Sequence, residues 1–141
     1  CENPCISWDF GAMRETINIA NRSFEATADQ FRALAARQIN RKDLELYVKR
    51  VLGHGATETK DLSTRAQNQI GDVISLFEHG RGNAMLGVRG TVWAAYNAVT
   101  EYLTHAAGAD ADKRYSSLWF GQNAQRNTLA LTEAVAMLKA A

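Results

Sequence analysis

This chain contains one proline, Pro4, so from residue 5 onward glycine is the only strong helix breaker it carries. Over the same stretch apolar residues recur every three or four positions, and no β-branched run of strand length appears. Together these features predict an all-α fold: a bundle of about five helices in a single domain over residues 1–141. A chain of 141 residues can build one core without a metal or disulfide staple.

The first helix is expected over 11–38. Met13, Ile17, Ala20, Phe24, Thr27, Phe31 and Leu34 alternate by four and three, the seam of a helix packed along another helix. An antiparallel bundle neighbour is the expected partner for that seam. Asn40 is placed to cap a second helix over 41–52, with Leu44, Tyr47, Val48 and Val51 inward and Gly53 and Gly55 ending it. Thr57 or Asp61 would cap a third helix over 58–79, with Leu62, Ala66, Ile70, Val73, Ile74 and Phe77 as its stripe. Gly71 inside it implies close approach of another helix. A fourth helix over 91–106 is apolar nearly all round, through Val92, Trp93, Ala95, Tyr96, Val99, Tyr102, Leu103 and Ala106, and belongs at the centre. Residues 107–114 read as a polar surface loop without the ligands of a calcium site. A last helix over 116–139 would bury Leu118, Trp119, Phe120, Ala124, Leu131, Val135 and Leu138.

Between the third and fourth helices runs Gly80-Arg81-Gly82-Asn83-Ala84-Met85-Leu86-Gly87-Val88-Arg89-Gly90. Four glycines make such a loop costly in backbone entropy, which suggests a purpose. Gly82 and Gly87 have the spacing of a P-loop, but Val88 stands where the lysine belongs and no strand precedes it, which excludes nucleotide hydrolysis of that type. A simpler anion site remains: Arg81, Asn83 and Arg89 around Gly90 and the start of the next helix, with Thr91 as its cap. Arg41, Lys42, Lys49 and Arg50 form a second basic edge, on the second helix, suited to phosphates. The competing reading is a loop packed between helices, its arginines tying down helix carboxyl ends. Asn97 and Glu101, one turn apart on the fourth helix, form a polar cluster that must meet solvent or an arginine such as Arg81 or Arg126.

Net charge is +1, so no global field draws the chain to nucleic acid. Cys1 and Cys5 read as reduced thiols, and His54, His79 and His105 lack metal spacing, so neither cofactor nor metal is expected. No catalytic motif is legible, and no segment is apolar for long enough to span a membrane. A cytoplasmic chain is expected.

The stretch Gly80-Arg81-Gly82-Asn83, then Gly90-Thr91-Val92-Trp93-Ala94-Ala95-Tyr96-Asn97-Ala98-Val99-Thr100-Glu101-Tyr102, then Ser117-Leu118-Trp119-Phe120-Gly121, resembles phage/plasmid-like proteins built on domain of unknown function 932. The resemblance covers about residues 75–140, and Cys1-Glu2-Asn3 matches loosely. It implies that this chain is similar to the carboxyl-terminal, helical half of a longer protein whose first half mixes α and β. It implies mobile-element DNA biology in a bacterial cytoplasm, and it carries over no catalytic residues. Three readings therefore stand: a nucleic-acid-associated module, a protein-interaction or assembly module pairing with another protein or with itself, and half of an enzyme site completed by a missing amino-terminal part.

Overall fold

The computed structural model describes residues 9–55, 57–105 and 121–140. Among them are five α-helices and no strand: α1 (Phe10–Ala36), α2 (Arg41–Leu52), α3 (Thr64–His79), α4 (Val92–His105) and α5 (Gln122–Lys139). Pro4, both cysteines, Ala106, the 107–114 loop and Leu118, Trp119 and Phe120 lie outside the described residues. The chain up to Arg32 forms one unit, and the chain from Ala33 onward forms a second.

In the first unit the Asp9 carboxylate accepts from the backbone N–H groups of Gly11 (3.0 Å) and Ala12 (3.1 Å), which starts α1 a residue before the expected position. Asp29 and Arg32 pair on its surface at 2.7 Å. The four-three alternation is helical as expected; Met13, Ile17 and Phe24 are exposed, while Phe31 is half-buried and Leu34, at the end of the seam, is fully buried. Periodicity reports the backbone and its apolar face, not what covers that face.

The second unit holds the core. Asn40 caps α2, its side chain accepting from the Asp43 N–H at 2.8 Å, and Gly53 closes it with N–H bonds to the last turn. Leu44, Tyr47, Val48 and Val51 are buried as expected. The cap of α3 is Ser63, whose hydroxyl accepts from the Ala66 N–H at 3.3 Å. Neither Thr57 nor Asp61 caps it; residues 59–61 make only one 3₁₀ turn, and α3 begins six residues later than the expected 58. An added Cβ at the exposed Gly71 would meet nothing within 4 Å, so no helix crosses closely there.

Helix α4 packs on both α3 and α5, as α2 does, but α4 alone has no exposed residue from Val92 to Thr104, which makes it the central, most enclosed helix as expected. Its buried line runs through Val92, Ala94, Ala95, Ala98, Val99, Tyr102 and Leu103. On α5 the fully buried positions are Asn123, Ala130 and Ala134, while Ala124, Leu131, Val135 and Leu138 are half-buried. The reason is close approach: alanines on α4 and α5 leave room for two backbones, and the longer side chains splay to the flanks. Tyr47 spans from α2 to α5, where its hydroxyl donates to the Ala130 carbonyl at 3.0 Å.

Candidate nucleic-acid interface

Residues 80–91 descend from the end of α3 to the start of α4. Gly80 donates to the Leu76 carbonyl at 2.7 Å and ends α3. A Cβ there would collide with that carbonyl and lie 2.9 Å from Glu101 Oε2, so the loop can leave α3 along this path only from glycine. Successive turns follow, with Asn83 N–H to the Gly80 carbonyl at 3.1 Å and Met85 N–H to the Gly82 carbonyl at 3.2 Å. Gly82, Gly87 and Gly90 hold φ values of 78°, 84° and 75°, the left-handed region that side chains resist. The glycine richness thus buys tight turns. Met85 and Leu86 stand exposed at the tip.

Asn83 is completely buried. Its amide nitrogen donates to the Leu76 carbonyl at 2.9 Å and the Ala94 carbonyl at 3.1 Å, fastening the loop to α3 and α4 at once. Its Oδ1 has no partner among the described residues. Thr91 is buried as well. Its hydroxyl donates to the Val88 carbonyl and accepts from the Ala94 N–H at 3.3 Å, the capping role expected from sequence. The Val92 N–H bonds the Arg37 carbonyl at 2.9 Å, and the Ala95 N–H bonds the Thr91 carbonyl at 3.1 Å. The start of α4 is therefore capped from within the protein, and Asn83 and Thr91 are occupied by backbone.

The basic side chains are arranged otherwise. Gln38 and Thr91 form an isolated antiparallel bridge, extended by the Ile39 N–H to the Gly90 carbonyl at 3.0 Å. This bridge lays residues 37–39 along residues 90–92. Its antiparallel sense sets Arg37 opposite Val92 and leads Arg89 toward Asn40, the residue before Arg41 and Lys42. Arg41 is exposed and shared between Glu45 and Glu78, each at 3.3 Å. Exposed pairs of that length are weak and exchange readily with another anion. Arg37, Lys42, Arg81 and Arg89 have no carboxylate within 4.0 Å among the described residues, and all but the half-buried Arg37 are exposed. The rest of the expected basic edge is used internally: Lys49 Nζ donates to the Thr57 carbonyl at 3.0 Å, and Arg50 pairs with Glu133 at 3.5 Å.

Arg81 stands apart from this edge. It lines an open groove of about 620 Å³ with Asn97, Thr100, Glu101, Thr104 and His105. Asn97 and Glu101 thus share a groove with Arg81, one of the two arginines expected there. The other, Arg126, donates instead to the Leu52 carbonyl at 3.2 Å and closes the end of α2. A smaller cleft of about 220 Å³ lies beside the bridge, lined by Arg37, Gln38, Asp43, Tyr47, Arg50 and Glu133 among others. Burial, followed by the nearby Tyr96 and Glu133, pushes the Tyr47 phenol well above its ordinary range, so it serves as a neutral donor. Among the described residues no three His, Cys, Asp or Glu side chains converge as metal ligands, and no helix is long and apolar enough to cross a membrane.

Arg37 was not legible as part of this edge. The signal that places it there is a two-residue backbone pairing, which leaves no strand pattern in the sequence. The fold and its edge define a helical module fastened by a glycine-rich loop, with cations on its rim. The chain belongs to the family described as Domain of unknown function (DUF932), whose profile matches residues 7–137. No curated protein and no solved structure matches it.

Proposed function

We propose that this chain is a nucleic-acid-associated module of a phage- or plasmid-like protein. It holds phosphate groups with Arg89, Arg37, Lys42 and the exchangeable Arg41, and with Arg81 further along the loop. The observation that supports this reading is the backbone bridge between residues 37–39 and 90–92, which joins the segment leading into α2 to the segment leading out of the glycine-rich loop, each with unpaired cations beside it. Asn83 and Thr91 act as supports: they fix the loop, and with it Arg89. With a net charge of +1 the attraction is local, so affinity is modest and steeply salt-dependent.

The test is a titration of single-stranded and duplex DNA at several salt concentrations. Contacts from Arg37, Lys42, Arg81 and Arg89 would each contribute about 0.9 to the salt slope on duplex, so affinity should fall roughly 150-fold between about 50 and 200 mM salt. Arg81→Ala combined with Arg89→Ala should lower that slope by about 2. Binding insensitive to salt, or unchanged in the double variant, rejects the reading.

A further inference from the structure

The apolar seam of α1 continues one position beyond the pattern given above, because Phe10 lies three residues before Met13. Phe10 is 74 % exposed, Met13 45 %, Ile17 53 % and Phe24 74 %. A run of large apolar side chains on one stripe, all facing water, is unusual for a helix that works alone. We infer that α1 pairs with α1 of a second copy of this chain, antiparallel, about a two-fold axis lying between Ala20 and Phe24.

Three features of the sequence on this helix specify a second copy. The stripe advances by four and three, the repeat of one helix wound on another. The positions flanking it are nearly free of charge: Asn21 and Ala28 on one side, Thr16, Ser23 and Gln30 on the other, with Arg14 and the capping Asp9 the exceptions. Two identical helices therefore meet without like-charge repulsion. The charged residues Glu15, Arg22, Glu25, Asp29 and Arg32 all lie off the seam and its flanks.

The third feature is size. In an antiparallel pair about that axis, Ala20 meets Phe24 of the second copy and Phe24 meets its Ala20. The next layer sets Ile17 against Thr27. Large side chains face small ones through the middle, and symmetry repeats each match. A parallel, in-register pair would set Phe24 against Phe24 and Ala20 against Ala20, overfilling one layer and leaving a void in the next. The helix from Phe10 to Arg32 is about 35 Å long. Two helices of that length bury less than a standard interface, so the dimer is reversible at micromolar to millimolar concentrations. This pairing is independent of the phosphate contacts.

Sedimentation equilibrium of the full chain tests it. The mass should rise toward twice the monomer value with concentration. Ile17→Lys should hold the chain monomeric while circular dichroism keeps its helix content. Ala20→Phe should also abolish pairing, and the swapped double variant Ala20→Phe with Phe24→Ala should restore it. A chain monomeric at every concentration overturns the inference, as does a dimer indifferent to Ile17→Lys. A monomer whose α1 is taken up by phosphatidylcholine vesicles overturns it as well. Failure of the swapped variant to re-pair excludes the antiparallel arrangement. DNA titration of Ala20→Phe separates this result from the phosphate reading, since its monomer retains every basic residue of the rim and gains no charge.

Discussion

Replacing Asn83 separates a structural fastener from a nucleic-acid ligand. Its amide donates to the Leu76 and Ala94 carbonyls at 2.9 and 3.1 Å in a site closed to water. Two such bonds are worth about 1–3 kcal/mol together. Removing the unpartnered Oδ1 returns about 1 kcal/mol, because that atom no longer has to be desolvated. The vacated volume costs about another 1 kcal/mol. Asn83→Ala should therefore lose about 2 kcal/mol. Asn83→Asp should be worse at neutral pH, because it sets a carboxylate against two carbonyl oxygens and supplies no N–H. Its folded-state pKa would lie above that of the unfolded chain, near 3.9. Its penalty would then grow by up to about 1.4 kcal/mol per pH unit above that value, and shrink as pH falls toward it. Urea denaturation of the three proteins at acid and neutral pH measures this directly. An Ala variant within about 0.5 kcal/mol of the parent refutes the fastener. So does an Asp variant that matches Ala at neutral pH. A large loss of DNA affinity with no loss of stability in the Ala variant would make Asn83 a ligand after all.

Two further outcomes follow from the same packing. Gly71 is exposed in the interior of α3 with open space around its missing Cβ, so Gly71→Ala should stabilise the chain by about 0.5–1 kcal/mol, read as a shift in the urea midpoint. Burial raises the phenols of Tyr47, Tyr96 and Tyr102 above the ordinary value of 10.0. The unfolded chain ionises first, so stability should hold below pH 10 and fall as pH rises through it; denaturation midpoints across that range check this, and Tyr47→Phe should flatten the fall while costing about 1 kcal/mol near neutrality.

What was legible in the sequence was local. Asn40 and Gly53 announce α2 because each acts through bonds to residues three or four positions away. The glycine richness of the loop was legible, but not which glycines take left-handed backbone: Gly82, Gly87 and Gly90 do and Gly80 does not. The start of α3 was not, since Thr57, Asp61 and Ser63 all offer a capping oxygen and only tertiary packing chooses among them. Asn83 read as a phosphate ligand because an amide N–H looks the same whether it will face a phosphate or a helix carbonyl. On α5, Leu131 and Val135 outrank Ala130 and Ala134 by hydrophobicity, but close helix approach favours the smaller residues. The edge itself depends on residues 37–39 meeting residues 90–92, a pairing too short to leave a periodic trace.

That pairing joins the Ile39 N–H to a carbonyl about fifty residues away, so its closure entropy is large while its local reward is a few hydrogen bonds. Helices whose contacts lie close in the chain form first, and a contact of such long span is made late. Substitutions at the bridge should then accelerate unfolding and leave the refolding rate nearly untouched. The basic rim should therefore exist only after this pairing closes, and a chain with the bridge open should bind phosphates less well.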